Sequence, residues 1–277
     1  MQIQVRLERV RSLSSSTKDF RFVRVDGEPV SFVPGQFFRF VFTDQAGEFE
    51  RSYSLCNFES DCLHGEFLDL VISTVDGGRA SKLLFDAEPG FEATVTGPFG
   101  RLVLPEKLPK RLFLVATSVG IAPYMPMLDA LRDSLRQGDV DVYFFYGTRD
   151  AEEFIYGQFL SAFAEQYKNF HLTVCYSRIE SGDASIISHT NVTVRFGYVQ
   201  NNMTELKMSP ATDHVLLCGN PMMIDDLYPQ LKQQGFGVRQ VVREKYVFAK
   251  RPGVKKPAVE MTAEQKRLLA EKMKKYS

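Results

Sequence analysis

Arg111-Leu112-Phe113-Leu114-Val115-Ala116 runs straight into Thr117-Ser118-Val119-Gly120-Ile121-Ala122-Pro123. Five of the first six residues are apolar, and the stretch reads as a buried strand. The small residues and glycine that follow let a backbone approach a phosphate closely at a strand-to-helix turn. Pro123 suits a first helical turn, where its missing N–H does no harm. The pattern predicts a strand, a tight turn and a helix over 122–136. The same grammar then repeats. Strands are expected over 140–146, 171–176, 214–218 and 241–248, and helices over 153–167 and around Met223, Leu227 and Leu231. Strands alternating with helices predict a parallel sheet covered on both faces, here residues 109–248.

Upstream the pattern is different. Asp19-Phe20-Arg21-Phe22-Val23, Phe37-Phe38-Arg39-Phe40-Val41-Phe42 and Phe67-Leu68-Asp69-Leu70-Val71-Ile72 are short, aromatic and β-branched. Ile3, Val5 and Leu7 alternate with polar residues as in a half-buried strand. Pro34-Gly35, Gly47, Gly65, Gly77-Gly78, Pro89-Gly90 and Gly97-Pro98 punctuate these runs. Short strands with regular turn signals predict a closed antiparallel barrel of the six-stranded type over residues 1–108, with one short helix over 79–85. The boundary is Pro105-Glu106-Lys107-Leu108-Pro109-Lys110. The fold class is therefore an antiparallel β-barrel followed by a parallel-sheet α/β nucleotide-binding domain.

Composition narrows the function. The chain has 277 residues with 34 basic and 34 acidic side chains, so no global field points to nucleic acid or a membrane surface. The amino terminus reads as a strand rather than a signal peptide, and no apolar run approaches the ~20 residues that span a bilayer. A cytoplasmic monomer is expected. Cysteines at 56, 62, 175 and 218 form no CxxC and no tight cluster, which argues against a zinc or iron–sulfur site. The four histidines, 64, 171, 189 and 214, show no ligand spacing.

Five segments in one order carry the chemistry: Arg51-Ser52-Tyr53-Ser54, Gly77-Gly78-Arg79-Ala80-Ser81, Gly97-Pro98-Phe99-Gly100, Ser118-Val119-Gly120-Ile121-Ala122-Pro123 and Cys218-Gly219-Asn220-Pro221-Met222-Met223. Together they resemble the ferredoxin–NADP reductase family of flavoproteins. The resemblance implies bound FAD and a hydride passing between NADPH and the flavin. Arg51 then pairs with the flavin pyrophosphate, as a planar two-donor guanidinium can. Tyr53 offers a flat face to the ring and Ser54 sits near its reactive nitrogen. Gly78, Ala80 and Ser81 open a helix at the same pyrophosphate, and Val71 lines the site. Glu244 relays a proton if it reaches the site. Tyr246, with Phe248 as the second candidate, covers the exposed flavin face. The ordinary alternatives are a plain strand at 51–54, a capped loop at 77–81 and a packed aromatic strand at 241–248.

On the coenzyme side the resemblance assigns Thr117, Gly120, Arg149, Ser177, Arg178, Cys218 and Gly219 to NADP. The family's usual turn is richer in glycine; Thr117, Ser118 and Val119 stand at those positions. Ser177 and Arg178 suit a 2′-phosphate, whereas a carboxylate there would suit an unphosphorylated ribose. Arg178 is otherwise a solvated strand-end charge, and Cys218 otherwise a buried structural thiol. In the family reading Cys218 lies beside the nicotinamide.

With no fused cluster, the electron acceptor must be separate, and the resemblance implies an acidic ferredoxin or flavodoxin. An NADH-dependent free-flavin or quinone reductase, or an electron-transfer subunit active only within a complex, remain open alternatives. Residues 249–277 carry nine Lys or Arg against three Glu. They read as a solvated extension with a helix opened by Thr262-Ala263-Glu264-Gln265, as a basic arm that steers an acidic carrier, or as a clamp over FAD.

Overall fold

The computed structural model describes residues 2–58, 65, 67–179, 192–203 and 206–246. The described residues belong to one compact unit. Phe248 and the basic extension, along with Cys62, His64, Glu180 and His189, lie outside the described residues.

The first sheet contains β1 (Gln2–Ser12), β2 (Thr17–Arg24), β3 (Phe37–Asp44), β4 (Gly47–Ser54), β5 (Phe67–Ser73) and β6 (Glu92–Phe99). Their order is β4-β3-β6-β1-β2-β5, and every pairing is antiparallel. Alternation explains the core. Ile3, Val5 and Leu7 of β1 and Phe38, Phe40 and Phe42 of β3 are buried on one side, while the polar residues between β1's apolar ones are exposed. The expected closed barrel is a half-barrel, because β4 and β5 share no ladder. Residues beyond β4 span the gap instead. The Cys56 N–H donates to the Asp69 carbonyl at 2.9 Å. Asn57 donates to the Phe67 carbonyl and accepts from the Asp69 N–H.

Gly97-Pro98, expected as a closing turn, lies within β6. Phe37 pairs with Phe99 and Arg39 with Thr96, so Phe38 alone faces both Gly97 and Pro98 in a bulge. Pro98 has no N–H to give a ladder, and a bulge needs none. A Cβ on Gly97 would come within 2.7 Å of the Phe38 ring. The short helix α1 (Arg79–Phe85) forms as expected, with Gly78 as its N-cap.

The second sheet contains β7 (Arg111–Thr117), β8 (Asp141–Thr148), β9 (Phe170–Tyr176), β10 (Val192–Phe196), β11 (Asp213–Gly219) and β12 (Val241–Lys245). All neighbours are parallel, in the order β10-β9-β8-β7-β11-β12. β10 adds a strand to those read from the sequence. The helix expected over 122–136 is divided. A 3-10 turn (Ser118–Ile121) precedes α2 (Tyr124–Ala130) and α3 (Arg132–Gln137), which meet at Leu131 with φ −86° and ψ −7°. Helix α4 (Gly157–Gln166) starts later than 153, because Tyr156 adopts a left-handed φ of 56°. α5 (Val199–Asn202) and α6 (Pro221–Gln233) follow.

Strand β7 shows why both faces are covered. Leu112, Leu114 and Ala116 pack in one cluster with Met125, Leu128, Leu135 and Leu160 from α2, α3 and α4. Phe113 and Val115 pack in another with Val199, Met223, Ile224 and Leu227 from α5 and α6. The order of successive strands reverses at β7, beside which β11 is laid, and an open α/β sheet binds ligands at the carboxyl ends of the strands at such a point.

Candidate functional site

The carboxyl ends of β7 and β11 are drawn together by two glycines. Cys218 is in register with Ala116. A Cβ on Gly120 would lie 2.6 Å from the Cys218 carbonyl oxygen and 2.7 Å from the Gly219 Cα. Gly219 has φ +119°, and a Cβ there would overlap the Thr117 hydroxyl. That hydroxyl accepts from the Asn220 N–H at 2.8 Å, and the Asn220 side chain in turn caps α6 by accepting from the Met222 N–H. Ser118, exposed beside this turn, takes φ 51°. A side chain in that region costs on the order of 1–2 kcal/mol, which is the physical consequence of the glycine-poor sequence.

Cys218 is fully buried, as are Ala116 and Tyr124. Its register partner on β12 is Glu244. The Glu244 carboxylate accepts a 2.9 Å hydrogen bond from the hydroxyl of Ser54, the last residue of β4. This bond joins the two sheets at the site. Burial pushes the Glu244 carboxyl above its ordinary value, and the Ser54 hydroxyl offsets part of the effect. Burial and the neighbouring Glu244 charge push the Cys218 thiol up, so it stays protonated near neutral pH.

Tyr246 completes the cluster. Its N–H donates to the Gly219 carbonyl at 2.9 Å. Its hydroxyl lies close to Ser54 and Cys218 but, although buried, has no hydrogen-bond partner of full geometry among the described residues. A buried hydroxyl left without a partner is costly, and a polar ligand edge would satisfy it.

Tyr53 packs edge-on against Phe40 and Phe42, at 5.8 and 6.3 Å between ring centroids. Arg51, in the same strand, donates to the Glu50 carbonyl at 2.7 Å and lies over Phe49. No carboxylate engages its guanidinium among the described residues, which leaves the charge available to an anion. Arg79 is different. Asp44 takes it in a bidentate pair that lowers the Asp44 carboxyl to about 2. Ser81 is buried and its hydroxyl is engaged inside the preceding turn, accepting from the Val75 N–H at 3.2 Å and donating to the Gly78 carbonyl at 3.0 Å. The side chain therefore shapes the turn at Gly78. Ala80 is buried, and Val71 packs in the cluster that also holds Cys56, Leu102 and the α2 side chains.

The second group of candidates gathers at the ends of β8 and β9. The Arg178 N–H donates to the Arg149 carbonyl at 2.9 Å, and the Ser177 N–H and hydroxyl both donate to the Thr148 carbonyl, at 2.9 and 3.1 Å. Arg149 and Arg178 are exposed, and neither guanidinium is ion-paired among the described residues. Two exposed guanidiniums on neighbouring strand ends are a donor set suited to an anion, although Arg149 also lies within the field of Glu153.

Several residues of the site region carry no motif. Asn57 closes the half-barrel, and the Cys56 thiol meets the Tyr156 hydroxyl at 3.6 Å. Glu153 receives hydroxyls from Ser14, Ser15 and Ser16. The Cys56 and Glu153 contacts join positions 100 or more residues apart, which no local pattern reveals; the run of three serines is the sequence feature that marks them.

Among known proteins, the model of an oxidoreductase FAD-binding domain matches residues 4–104, and that of an oxidoreductase NAD-binding domain residues 114–228. Ferredoxin--NADP reductase B of Sorangium cellulosum (strain So ce56) is 31% identical over 242 residues, spanning 85% of this chain and 93% of that protein. The toluate 1,2-dioxygenase electron transfer component of Pseudomonas putida is 25% identical over 246 residues, 88% of this chain and 67% of its own length. The fold is shared with a ferredoxin NADP+ reductase from Neisseria gonorrhoeae solved with FAD and NADP bound. The TM-score is 0.71 and the identity 22%, over 88% of this chain and 98% of that one. A half-barrel that carries Ser54 at the end of β4, a parallel sheet that carries Thr117 and Cys218 at the ends of β7 and β11, and a relative that spans most of both lead to one assignment: the chain belongs to the ferredoxin–NADP reductase family, as an oxidoreductase with FAD-binding and NAD-binding domains.

Proposed function

We propose that this protein is an NADPH-dependent flavoprotein reductase that exchanges electrons with a separate, small, acidic carrier of the ferredoxin or flavodoxin type. Residues 1–108 form the flavin half in this reading and 109–248 the coenzyme half. The observation that carries the coenzyme choice is the pair of exposed guanidiniums at Arg149 and Arg178, neither ion-paired among the described residues, with Ser177 beside Arg178 and no acid at 176–178.

The residues present fit the cofactor. Arg51 and the Gly78 turn, with Ala80, would hold the FAD pyrophosphate, and Ser81 holds that turn in shape. Tyr53 and Tyr246 would cover the ring, Val71 would line it, and Phe248 would be the second covering residue. The partnerless Tyr246 hydroxyl is consistent with a polar ring edge arriving there. Bound FAD supplies two-electron exchange with a nicotinamide and one-electron exchange with a carrier. The protein's own work is alignment. Thr117, Gly120 and Gly219 hold the coenzyme against the sheet ends, and the protonated Cys218 thiol orients the nicotinamide. Ser54 orients the ring edge, and Glu244, held by Ser54 and raised by burial, would relay a proton there.

Arg178→Ala tests the coenzyme choice. Losing a charge-assisted contact costs about 1.5–3 kcal/mol, so the NADPH Kd should rise about tenfold or more while the NADH Kd stays within about twofold. Equal losses for both coenzymes reject the role of Arg178. A second reading makes the protein a reductase component serving an oxygenase, and the likeness to the toluate 1,2-dioxygenase component favours it. Faster flavin reduction by NADH than by NADPH would support that alternative.

A further inference from the structure

We infer that Glu153 is a positioning residue: its carboxylate, gripped by three hydroxyls of the β1–β2 hairpin, locks the coenzyme-phosphate end of the parallel sheet to the flavin half of the molecule. The inference rests on the proposed coenzyme site at Arg149, Ser177 and Arg178.

The grip is specific. Glu153 Oε2 accepts from Ser14 Oγ at 2.9 Å and from Ser16 Oγ at 2.8 Å, and Oε1 accepts from Ser15 Oγ at 3.2 Å. Burial opposes the charge, but the three hydroxyls, helped by the Arg149 charge, outweigh it and hold the carboxyl below its ordinary value. The hydroxyl contacts are short-ranged and directional.

Each side of the grip leads to a cofactor-facing segment through backbone bonds. On the sheet side, the Glu153 carbonyl accepts from Thr148 Oγ1 at 2.9 Å and its N–H donates to Asp150 Oδ1 at 3.0 Å. The Thr148 and Arg149 carbonyls receive Ser177 and Arg178, which fixes the anion site to the same loop. On the barrel side, the Ser16 carbonyl accepts from the Thr74 N–H at 2.8 Å, and Thr17 Oγ1 meets Ser73 Oγ at 2.7 Å. Val75 follows directly and is bound by Ser81 in the Gly78 turn. Three residues past Glu153, the Tyr156 hydroxyl meets Cys56, two residues beyond Ser54, and the Phe58 ring lies edge-on to Tyr156 at 5.3 Å. One short loop therefore touches both flavin-side segments while carrying the coenzyme-phosphate site. Two rings held by different halves react only if those halves keep register, and small displacements cost large factors in rate.

The test uses the full chain loaded with FAD, comparing Glu153→Ala, Glu153→Gln and the Ser14→Ala/Ser16→Ala double variant. Glu153→Ala should slow anaerobic flavin reduction at saturating coenzyme about tenfold, with 2′,5′-ADP affinity and FAD content unchanged. Iodoacetamide labelling of Cys56, read by mass spectrometry, should quicken about fivefold as the contact loosens, while Cys175 inside the parallel sheet stays protected. Glu153→Gln, which keeps an acceptor oxygen, should restore most of both. The serine variant should move both readouts in the same direction by about threefold, and it leaves Glu153 in place should Glu153→Ala fold poorly. Reduction and Cys56 labelling both unchanged, or a fall in thermal stability with neither altered, overturns the inference. Cys56 labelling needs no coenzyme and the reduction assay can be run with NADH, so a wrong coenzyme choice leaves these outcomes readable. Weakened 2′,5′-ADP binding with an unchanged saturating rate would assign Glu153 to the phosphate site alone and also overturn it.

Discussion

Gly219→Ala tests whether the close approach of β7 and β11 is what builds the site. Gly219 sits at φ +119°, where an L-residue is strained by about 1–3 kcal/mol. The added methyl also meets something rigid. It would overlap Thr117 Oγ1 and lie 2.8 Å from the Thr117 carbonyl oxygen and 3.1 Å from its nitrogen. Backbone at that distance cannot swing aside like a side-chain tip, and overpacking of this kind costs about 1–3 kcal/mol more. Lost chain entropy in the unfolded state returns about 0.4–1 kcal/mol. The net loss is about 2–5 kcal/mol, or roughly 4–20 °C in Tm for a unit of this size. The control is Gly90→Ala. Gly90 has φ +103° with nothing within 4 Å of an added Cβ, so it carries the strain without the collision. Circular dichroism melts of both variants, with flavin reduction measured alongside, form the assay. Gly219→Ala should lose clearly more stability than Gly90→Ala and should also reduce flavin more slowly. Equal Tm losses would show that the strands part at no cost, and the argument from close approach would fail.

Two further outcomes follow from the Ser54, Cys218 and Glu244 cluster. Cys218→Ala should slow flavin reduction at saturating NADPH by about tenfold while FAD stays bound, because the change touches orientation and not the flavin contacts; an unchanged stopped-flow rate returns Cys218 to a packing role. Burial raises the Glu244 carboxyl, so the native state keeps a proton that the unfolded chain releases, and this group's contribution to stability falls as pH rises from the ordinary carboxylate range through the raised value. Glu244→Gln removes that dependence and still accepts from Ser54, so its Tm relative to the parent should climb across that interval; a flat or falling difference would contradict the burial argument.

How far the sequence reached depended on the range of the interaction. Alternation in Ile3-Gln4-Val5-Arg6-Leu7 and the apolar run at 111–116 marked their strands, because one face or both must be buried and the side chains record it locally. Helix α1 over Arg79–Phe85 was legible, as was α6 from Met223, Leu227 and Leu231; its cap at Asn220 came only with the fold. The glycines at 120 and 219 were visible as motif residues, yet their reason was not: each makes room for a backbone about 100 positions away. Ser118 looked like a mild departure from a glycine-rich turn, and only the coordinates show that it carries a left-handed backbone without glycine's freedom. Gly97-Pro98 reads as a turn in any short window, and it became a bulge because Phe38 lies opposite.

Tertiary structure alone decided the rest. Glu244 meets Ser54 across 190 residues. Glu153 meets the serines of the first hairpin across 137 to 139 residues. Arg51 and Arg79 look alike in sequence, but Asp44 claims Arg79 and leaves Arg51 open to an anion. The sequence by itself determined most of the strands and helices and which family's motifs they carry, since both are written in near neighbours, but not β10 or the break between α2 and α3. Which charges are spent, which stay free and which residues hold the two halves in register depended on pairings that exist only once the chain has folded.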